Sequence, residues 1–311
     1  MTTQTTTQTT SDMTTVATTE MTTVTTAETT LGTTTGSRPV VCLDLDRTTI
    51  YSAAALGLRG PDQHAPRLLC VEVYNGVPQS FMTEEAVDAF RALQDAAVVV
   101  PTTTRTPEQL ARVHLPGPPA RFAIASNGGH LLVDGEIDPG WSVTVHDQLT
   151  GCAPLAEVET HIQARGGTFV LRLHTASNLF CYAVVDRPAL PPGWVEALAA
   201  WCGPRGWMVS LQGRKVYAVP VGLTKSSAAA EVLRRSGADQ LLAAGDSLLD
   251  ADLLDAAALA IRPAHGELAD TGFTRPHLAV TTATGAAAGA ELLTWLCDRA
   301  SIVALSVSGR V

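Results

Sequence analysis

The sequence predicts an α/β protein in which a Rossmann-like parallel-sheet core carries an inserted α+β domain. From residue 38 onward, short apolar runs alternate with helical patterns, which is typical of a parallel sheet with helical crossovers. Between Leu131 and Lys215 this pattern changes to alternating strands, and after Gly222 it resumes. We therefore predict a core domain at residues 38–130 and 216–311, with the α+β domain at residues 131–215 between its two parts.

The first part of the core contains three predicted strands, "VVCLDLD", "AVVVPTTT" and "RFAIASNGG", each with a polar end. A continuous apolar run indicates a strand buried on both faces. Between the first two strands, "RLLCVEVYNGVPQSF" predicts a hairpin with its tight turn at Asn75-Gly76. "TEEAVDAFRALQDAA" then predicts a helix with one apolar face, and "TPEQLARVH" predicts a helix with Pro107 at its first position.

The inserted segment predicts four strands and two helices. The strands are "WSVTVHD", "TFVLRLHTA", "NLFCYAVVD" and "GWMVSLQGRKVYAVP", and the helices are "APLAEVETHIQARGG" and "PGWVEALAAWCG". In the second part of the core we predict, in order, helix "LTKSSAAAEVLRRSG", strand "QLLAAGD", helix "SLLDADLLDAA", strands "LAIRP" and "LAVTT", and helix "AAAGAELLTWLCDRA".

Composition excludes several classes of protein. A hydrophobic content of 46% in 311 residues fits a globular chain, and no apolar run approaches the ~20 residues of a membrane helix. A net charge of −9 argues against nucleic-acid binding and against binding to an anionic membrane. The six cysteines include no C-x-x-C pair, which favours free thiols in a reducing, cytoplasmic location over disulfides or zinc.

The first 37 residues are dominated by threonine and contain few large apolar side chains. Such a segment cannot bury an apolar face, so we expect a disordered tail. It has neither a basic n-region nor an apolar h-region, and no secretory signal is therefore predicted.

Polar residues follow the predicted core strands at the edge where ligands bind in open α/β sheets. Carboxylates from separate strands would repel one another there, and a hard divalent cation such as Mg²⁺ removes that conflict. Hydroxyls, a lysine and helix N-termini suit a phosphoryl group. The residues concerned are Asp44, Asp46, Thr48, Thr102, Thr103, Thr104, Arg105, Asn127, Lys225, Asp246 and Asp250.

The order of these motifs resembles that of the haloacid-dehalogenase-like (HAD) phosphohydrolases. "DLDRT", "TTTR", a lysine and "GDSLLD" follow one another between about Val40 and the C-terminus. The "SNGG" strand end and the position of the insertion are similar to the subgroup with an α+β cap, which includes Cof-type and sucrose-phosphate-phosphatase-like enzymes. The resemblance implies that residues 131–215 form a cap over the core.

The resemblance also implies catalytic roles. Asp44 would attack phosphorus and form an aspartyl-phosphate. Asp46 would protonate the leaving oxygen and later activate water. Lys225 would neutralise both the phosphate and the Asp44 carboxylate. In the alternative without a catalytic role, the two acids would only form the polar end of a strand, and Lys225 would be an ordinary solvent-exposed lysine of a helix.

Three further positions complete the site. Thr103 would hydrogen-bond the phosphoryl group, although a shift of one residue would transfer that role to Thr102 or Thr104. Arg105 would either position substrate or pair with an acid of the core. Asn127 would contact substrate or form a turn.

Mg²⁺ is the cofactor that the resemblance implies. Asp44, Asp246 and the Asp46 carbonyl would ligate it, and Asp250 would support its waters; a helix-capping role is the alternative for Asp250. Two positions depart from the family pattern: Leu249 stands where relatives with this cap usually have Asn, and Arg47 where many have Gly.

The predicted function is Mg²⁺-dependent hydrolysis of a small phosphorylated metabolite, such as a sugar or nucleoside phosphate. A phosphomutase would use the same pair of acids but return the phosphoryl group to a rebound intermediate. A non-catalytic module that binds a phosphorylated ligand is the second alternative.

Overall fold

The structure, a computed structural model, describes residues 38–58 and 61–308. The predicted disordered tail lies outside the described residues. In chain order the strands are β1 (Val40–Leu43), β2 (Leu68–Tyr74), β3 (Val77–Thr83), β4 (Val98–Pro101), β5 (Phe122–Ala125), β6 (His130–Val133), β7 (Glu136–Ile137), β8 (Val170–Ala176), β9 (Phe180–Val185), β10 (Trp207–Gln212), β11 (Lys215–Pro220), β12 (Leu241–Ala244), β13 (Leu259–Arg262) and β14 (Leu278–Val280).

The α-helices of the described residues are α1 (Glu84–Ala96), α2 (Pro107–Leu110), α3 (Pro139–Gln148), α4 (Leu155–Arg165), α5 (Trp194–Cys202), α6 (Lys225–Ser236), α7 (Ala251–Ala256), α8 (Glu267–Asp270) and α9 (Ala286–Ser308). Several of their starts follow from local chemistry. Thr83 caps α1 by accepting a hydrogen bond from the Ala86 backbone N–H, and Thr106 closes a capping box with Gln109 at the start of α2.

A five-stranded parallel sheet forms the core, in the order β14-β13-β12-β1-β4. The predicted parallel sheet is therefore confirmed. Strand β5 follows β4 at the edge, where a parallel bridge joins Thr102 to Ile124. The strands point the same way, so their carboxyl ends meet at one edge.

Alternate side chains of β1 enter two apolar layers, as expected for a strand covered on both faces. Val41 and Leu43 pack in the layer that contains Phe90 of α1 and Leu293 of α9. Val40 and Cys42 pack in the layer shared with α6 and α7, and this layer continues into the inserted domain.

The inserted domain is an antiparallel sheet in the order β10-β11-β9-β8, packed against α4 and α5. Strands with two helices were predicted here, and the α+β insertion is confirmed. The predicted boundary at Leu131 falls within β6, which pairs with β5, and the boundary after Lys215 falls within β11. We propose to place the cap domain between the end of β7 and Pro220.

One predicted strand is wrong. "WSVTVHD" belongs to α3, because Asp138 accepts a hydrogen bond from the Trp141 backbone N–H at 2.7 Å and Pro139 takes the first helical position. Trp141 and Val145, four residues apart, are the buried residues of the helix. The start signals and this spacing outweigh the β-propensity of Val and Thr.

The Asn75-Gly76 hairpin is confirmed, since β2 pairs with β3 and both turn residues have positive φ, 50° and 74°. All six cysteines are free; Cys42, Cys181 and Cys202 are buried, whereas Cys70 is exposed. Among residues 38–58 and 61–308, no helix has the length and apolar content needed to cross a membrane.

Candidate active site

Asp44 and Lys225 form the centre of the site. Asp44 directly follows β1, and Lys225 is the first residue of α6, whose N-terminus is capped by Thr224. The Lys225 ammonium is fully buried and donates a hydrogen bond of 2.7 Å to Asp44 Oδ1. Within the described part of the chain, Asp44 Oδ2 accepts no hydrogen bond. One carboxylate oxygen is therefore held in place while the other is left for a ligand.

Asp250 organises the loop after β12. One of its oxygens accepts a short hydrogen bond from Lys225, and the other accepts hydrogen bonds from the Ser247 backbone N–H (2.9 Å) and hydroxyl (2.7 Å) and from the Asp246 backbone N–H (3.2 Å). Asp250 is fully buried, and both oxygens already have protein donors. These contacts suit a residue that fixes Lys225 and the position of Asp246.

Asp246 faces the same space from the end of β12. Its Oδ2 accepts a hydrogen bond from Arg47 Nε at 3.2 Å. One oxygen each of Asp44, Asp246 and Asp250 lies within 4.8 Å of the others. Burial, together with the negative charges of Asp44 and Asp250, raises the pKa of Asp246 well above its usual range.

The same crowding acts on Asp44. Burial, followed by the negative charge of Asp250, raises the pKa of Asp44 to about 7, even though Lys225 acts in the opposite direction. Three buried carboxylates with one fully buried ammonium form a site short of positive charge. Carboxylate oxygens are hard ligands that suit Mg²⁺, so the donor set fits this ion. A Cβ at Gly266 would lie 2.5 Å from Asp246 Oδ2, so only glycine allows this close approach.

Asp46 is held from the opposite side by Arg105. Nε and one terminal nitrogen of Arg105 each donate a 2.8 Å hydrogen bond to the Asp46 carboxylate. Burial would raise the pKa of Asp46, but the Arg105 guanidinium outweighs it and lowers this pKa to about 2. The Asp46 side chain is 41% exposed, so it remains open to a ligand.

Sequence reasoning missed the acid that positions Arg105. Glu72 of β2 is 3% exposed, lies 2.9 Å from Arg105 and accepts a 2.7 Å hydrogen bond from the Ser80 hydroxyl of β3. Arg112 contacts its other oxygen at 3.4 Å. The available signal was a lone acid in the apolar strand "LLCVEVY". Arg105 therefore pairs with two acids of the core, which was one of its two predicted roles.

The three threonines after β4 differ in what they can offer. Thr102 Oγ1 donates to the Val100 carbonyl at 3.0 Å, so its hydroxyl points back along the strand. Thr103 Oγ1 accepts a hydrogen bond from the Arg105 backbone N–H at 3.1 Å, which leaves its own hydrogen available to a ligand. Thr104 is also buried. The structure thus leaves Thr103 able to donate, and its role stays a prediction.

Asn127 links two parts of the site. Its side-chain amide donates to the Leu223 carbonyl at 2.8 Å, and its backbone N–H donates to the Thr103 carbonyl at 3.0 Å. Its side-chain oxygen is buried without a partner among the described residues. A Cβ at the neighbouring Gly128 would lie 2.0 Å from the Thr224 carbonyl oxygen, so glycine allows the approach to the start of α6.

The cap contributes Lys215, which sequence reasoning did not assign to the site. It lies half-buried at the start of β11, with its ammonium 5.3 Å from the centre of the Tyr182 ring and 6.0 Å from that of Tyr217. It also acts electrostatically on Asp46, where it helps to lower the pKa of that carboxyl after Arg105. The overlooked signal is rarity, since Lys215 and Lys225 are the two lysines of the sequence.

Glu267 was also missed. This residue of the core accepts hydrogen bonds from the Ser210 hydroxyl (2.6 Å) and Leu211 backbone N–H (2.8 Å) of the cap, and from the Leu248 backbone N–H (2.9 Å) of the core. It therefore ties the cap to the loop that carries Asp246. Leu249, at the position of the predicted departure from the family pattern, is 1% exposed and packs in the apolar core.

A surface cavity of about 760 Å³ lies elsewhere, lined in part by Phe90, Pro107 and Ile137. None of the carboxylates described above lines it. Volume alone is therefore a poor guide to the chemistry of this molecule, and the charged groups at the sheet edge locate the site.

Known structures with the same architecture include phosphatases. The sucrose-phosphatase of Synechocystis, solved with sucrose and phosphate, superposes with a TM-score of 0.55 at 15% identity, covering 83% of this chain and 98% of that chain. A protein of Thermoplasma acidophilum matches with a TM-score of 0.55 at 12% identity, covering 85% and 98%. The chain has the HAD-like fold.

The C-terminal domain of the trehalose-6-phosphate phosphatase of C. albicans also matches, with a TM-score of 0.53 at 10% identity, covering 85% of this chain and 93% of that domain. No family model and no curated protein sequence matches this chain. At these identities the likeness establishes the fold, and the chemistry has to be argued from the site itself.

Proposed function

We propose that the protein is a Mg²⁺-dependent phosphatase that hydrolyses a small phosphate monoester through an aspartyl-phosphate on Asp44. The observation that carries this proposal is the position of Asp44. Its carboxylate lies at the end of β1, is held at one oxygen by the buried Lys225, and faces Asp246. Phosphatases with the same fold support the choice of reaction.

Asp44 would act as the nucleophile. Its Oδ2 atom, which accepts no hydrogen bond from the described residues, would attack phosphorus as the bond to the leaving oxygen breaks. Lys225 favours the ionised, nucleophilic form of Asp44 and stabilises the negative charge on the phosphoryl oxygens. The Thr103 hydroxyl would donate a hydrogen bond to the same group.

Asp46 would act as general acid and then as general base. Paired with Arg105, it is ionised at neutral pH, which suits the second step, in which it removes a proton from the attacking water. In the first step it must carry a proton. A phosphate dianion beside Asp46 raises the pKa of this carboxyl, because a nearby like charge disfavours ionisation. We therefore infer that substrate binding protonates Asp46.

Asp44, Asp246 and the backbone carbonyl of Asp46 would hold Mg²⁺. When bound, the ion offsets the negative charge of the carboxylates and polarises the phosphoryl group. Asp250, which was predicted to act near the metal, would contribute indirectly by fixing Lys225 and the Asp246 backbone. Arg105 would be a positioning residue for Asp46, and Asn127 would join Thr103 to the segment before Lys225.

The substrate would be a small phosphorylated metabolite in the cytoplasm, selected by the cap. A cap that covers the sheet edge excludes bulk water during transfer and contacts the leaving group. The net charge of −9 makes nucleic acid an unfavourable partner.

The proposal is tested by phosphate release from a panel of sugar and nucleotide monophosphates and p-nitrophenyl phosphate, with Mg²⁺ and with EDTA. We expect release that requires Mg²⁺ and that is lost in Asp44→Asn. An isomeric phosphate ester in place of free phosphate would indicate a mutase. Tight ligand binding without turnover would indicate a binding module.

A further inference from the structure

One face of the cap sheet is covered by α4 and α5, and the other face is turned away from these helices. The register of the four strands places two rows of side chains across this second face. The first row contains His174, Tyr182, Tyr217 and Ser210, and the second contains Arg172, Val184, Lys215 and Gln212. Residues paired across antiparallel strands lie on the same face, so these eight side chains form one surface, which we call the open cap face.

The open cap face is turned toward the core. At one end of its first row, Ser210 donates its hydroxyl hydrogen to Glu267 of the core at 2.6 Å. In its second row, Lys215 lies near enough to Asp46 for each charge to affect the pKa of the other group. A leaving group attached to a phosphate at Asp44 would therefore extend toward Lys215 and the tyrosines.

The charge of this face is opposite to that of the chain as a whole. Neither row contains an acid, whereas Lys215 and Arg172 are cationic, in a protein of net charge −9. Within the described residues, Lys215 has no carboxylate within 4.0 Å; Tyr217 is its main polar partner, and the more distant Asp46 is already paired with Nε and one terminal nitrogen of Arg105. A half-buried ammonium whose near partners are a phenol and aromatic rings lacks a close counter-ion, and an anionic ligand would supply one.

The aromatic rings beside Lys215 restrict how such a ligand sits. Tyr182 and Tyr217 have ring centres 5.3 Å apart, and His174 stacks on Tyr182 at 5.0 Å. The Lys215 ammonium lies 5.3 Å from the centre of the Tyr182 ring, within the range of cation–π attraction, which favours a position of the charge beside this ring. A neutral polyol would leave this charge without an anionic partner.

We propose that the leaving group of the substrate carries a second anionic group, a carboxylate or a second phosphate, and that Lys215 binds it. This inference rests on the proposed phosphatase function and narrows its substrate class. Water cleaves the ester, inorganic phosphate leaves, and the second anion stays on the alcohol product. This substrate class differs from the phosphate esters of neutral sugars after which the sucrose-phosphatase and the trehalose-6-phosphate phosphatase are named.

The test compares matched esters. Phosphate release is measured for 6-phosphogluconate against glucose 6-phosphate, for 3-phosphoglycerate against glycerol 3-phosphate, for fructose 1,6-bisphosphate against fructose 6-phosphate, and for p-nitrophenyl phosphate. We expect the wild type to prefer one or more esters with the second anion. Lys215→Met should lower kcat/KM for those esters by about tenfold or more beyond its effect on the esters without a second anion, because a close charge pair is lost. Lys215→Arg should restore part of the preference.

Arg214→Met is the matched control. It removes the same charge from the exposed neighbouring residue in the β10–β11 turn and should leave the preference unchanged. If Lys215→Met lowered kcat/KM equally for all esters, the proposal would be contradicted, and the role of Lys215 would be limited to its electrostatic effect on Asp46. A wild-type preference for the neutral partners would also overturn it.

A binding measurement distinguishes the anion site at Lys215 from the proposed phosphatase function. Calorimetric titration of the same ester pairs into Asp44→Asn, with and without Lys215→Met, needs no turnover. Tighter binding of an ester with a second anion, lost with Lys215, would support the anion site even if the wild type released no phosphate. Equal affinities within every pair would overturn it even if the phosphatase activity were established.

Discussion

Arg105 joins the end of β4 to Asp46 through two hydrogen bonds of 2.8 Å and to Glu72 of the hairpin through a third contact of 2.9 Å. The guanidinium fork fits a carboxylate in two-point fashion, which fixes the orientation of Asp46 as well as its charge. Arg105 thus determines the orientation and charge of Asp46, the proposed acid–base residue. The sequence predicted Arg105 either to contact substrate or to pair with an acid of the core.

Replacing Arg105 by Met should raise the pKa of Asp46 from about 2 toward the ordinary range of an aspartate and reduce turnover. A loss of about 100-fold is expected, which is the lower end of the usual contribution of a well-placed acid–base group. The carboxyl carbon of Asp46, assigned in NMR spectra by comparison with Asp46→Asn, reports the pKa. Arg112→Met loses the 3.4 Å contact to Glu72 and a contact with the Tyr74 ring, neither of which involves Asp46, and should leave both quantities near wild type. An unchanged Asp46 titration in Arg105→Met would contradict this assignment.

Lys225→Met should abolish activity and destabilise the protein. The substitution leaves Asp44 and Asp250 buried without their ammonium, and breaking a buried ion pair from one side costs about 3–5 kcal/mol. Urea unfolding measures the loss. Arg234→Met removes a largely exposed ion pair from the same helix and should change the free energy of unfolding by no more than about 0.5 kcal/mol. Similar effects of the two substitutions would argue against a central role for Lys225.

Arg47→Gly should increase the affinity for Mg²⁺. Arg47 donates to Asp246 at 3.2 Å and so competes with a metal for this carboxylate. Isothermal titration with Mg²⁺ should show binding several-fold tighter than in wild type. Arg47→Met removes the charge but keeps a side chain at this position, where φ is 66°. It should also tighten Mg²⁺ binding, whereas only Arg47→Gly should in addition stabilise the protein, because glycine adopts a positive φ without strain. Weaker Mg²⁺ binding in both variants would show that Arg47 supports the metal site.

The stability of the metal-free protein should fall as pH rises from about 4 to about 7. Burial and the neighbouring Asp250 raise the pKa of Asp44 to about 7, and the pKa of Asp246 is raised too. A carboxyl with a raised folded-state pKa contributes stability below its unfolded value, about 3.9, and loses it as pH rises through the folded value. Asp46, whose pKa is lowered to about 2, affects stability in a different pH range: the stability that it contributes is lost only as pH falls below about 4.

Mg²⁺ should reverse this trend, because the ion binds the ionised carboxylates. Its effect on Tm, measured by differential scanning calorimetry against EDTA, should be larger near pH 8 than near pH 5.5. Asp246→Asn is the control: without metal it should be more stable than wild type near pH 7.5, and Mg²⁺ should stabilise it much less. A Mg²⁺ effect on Tm that is independent of pH would count against the carboxylate cluster as the metal site.

The sequence predicted the parts of the site that lie at strand ends. Asp44 and Asp246 come together because parallel strands present their carboxyl ends at one edge, which follows from topology without any knowledge of side-chain packing. Lys225 meets them from the start of α6. The partners of these residues could not be predicted in the same way. Glu72 contacts Arg105 from the β2–β3 hairpin, and Lys215 acts electrostatically on Asp46 from the cap, and both pairings depend on tertiary structure.

The error at α3 has a local cause. The Val and Thr residues of "WSVTVHD" have a high strand propensity. The Asp138-Pro139 start signal and the four-residue spacing of Trp141 and Val145 favour a helix, and they outweigh that propensity. Glu267 shows a different limit, because two of its three acceptor contacts join the cap to the core across more than fifty residues of sequence, and no short pattern encodes such a pairing.

The most direct test of the account is to look for the phosphoryl group on Asp44. Protein turning over p-nitrophenyl phosphate with Mg²⁺ is quenched in acid, digested and mapped by mass spectrometry. Asp46→Asn is used beside the wild type, because slower hydrolysis of the intermediate should let it accumulate. The account predicts one phosphoryl group on the peptide that contains Asp44, and none in Asp44→Asn or with EDTA. Release of phosphate with no label on Asp44, or with the label on another residue, would contradict it.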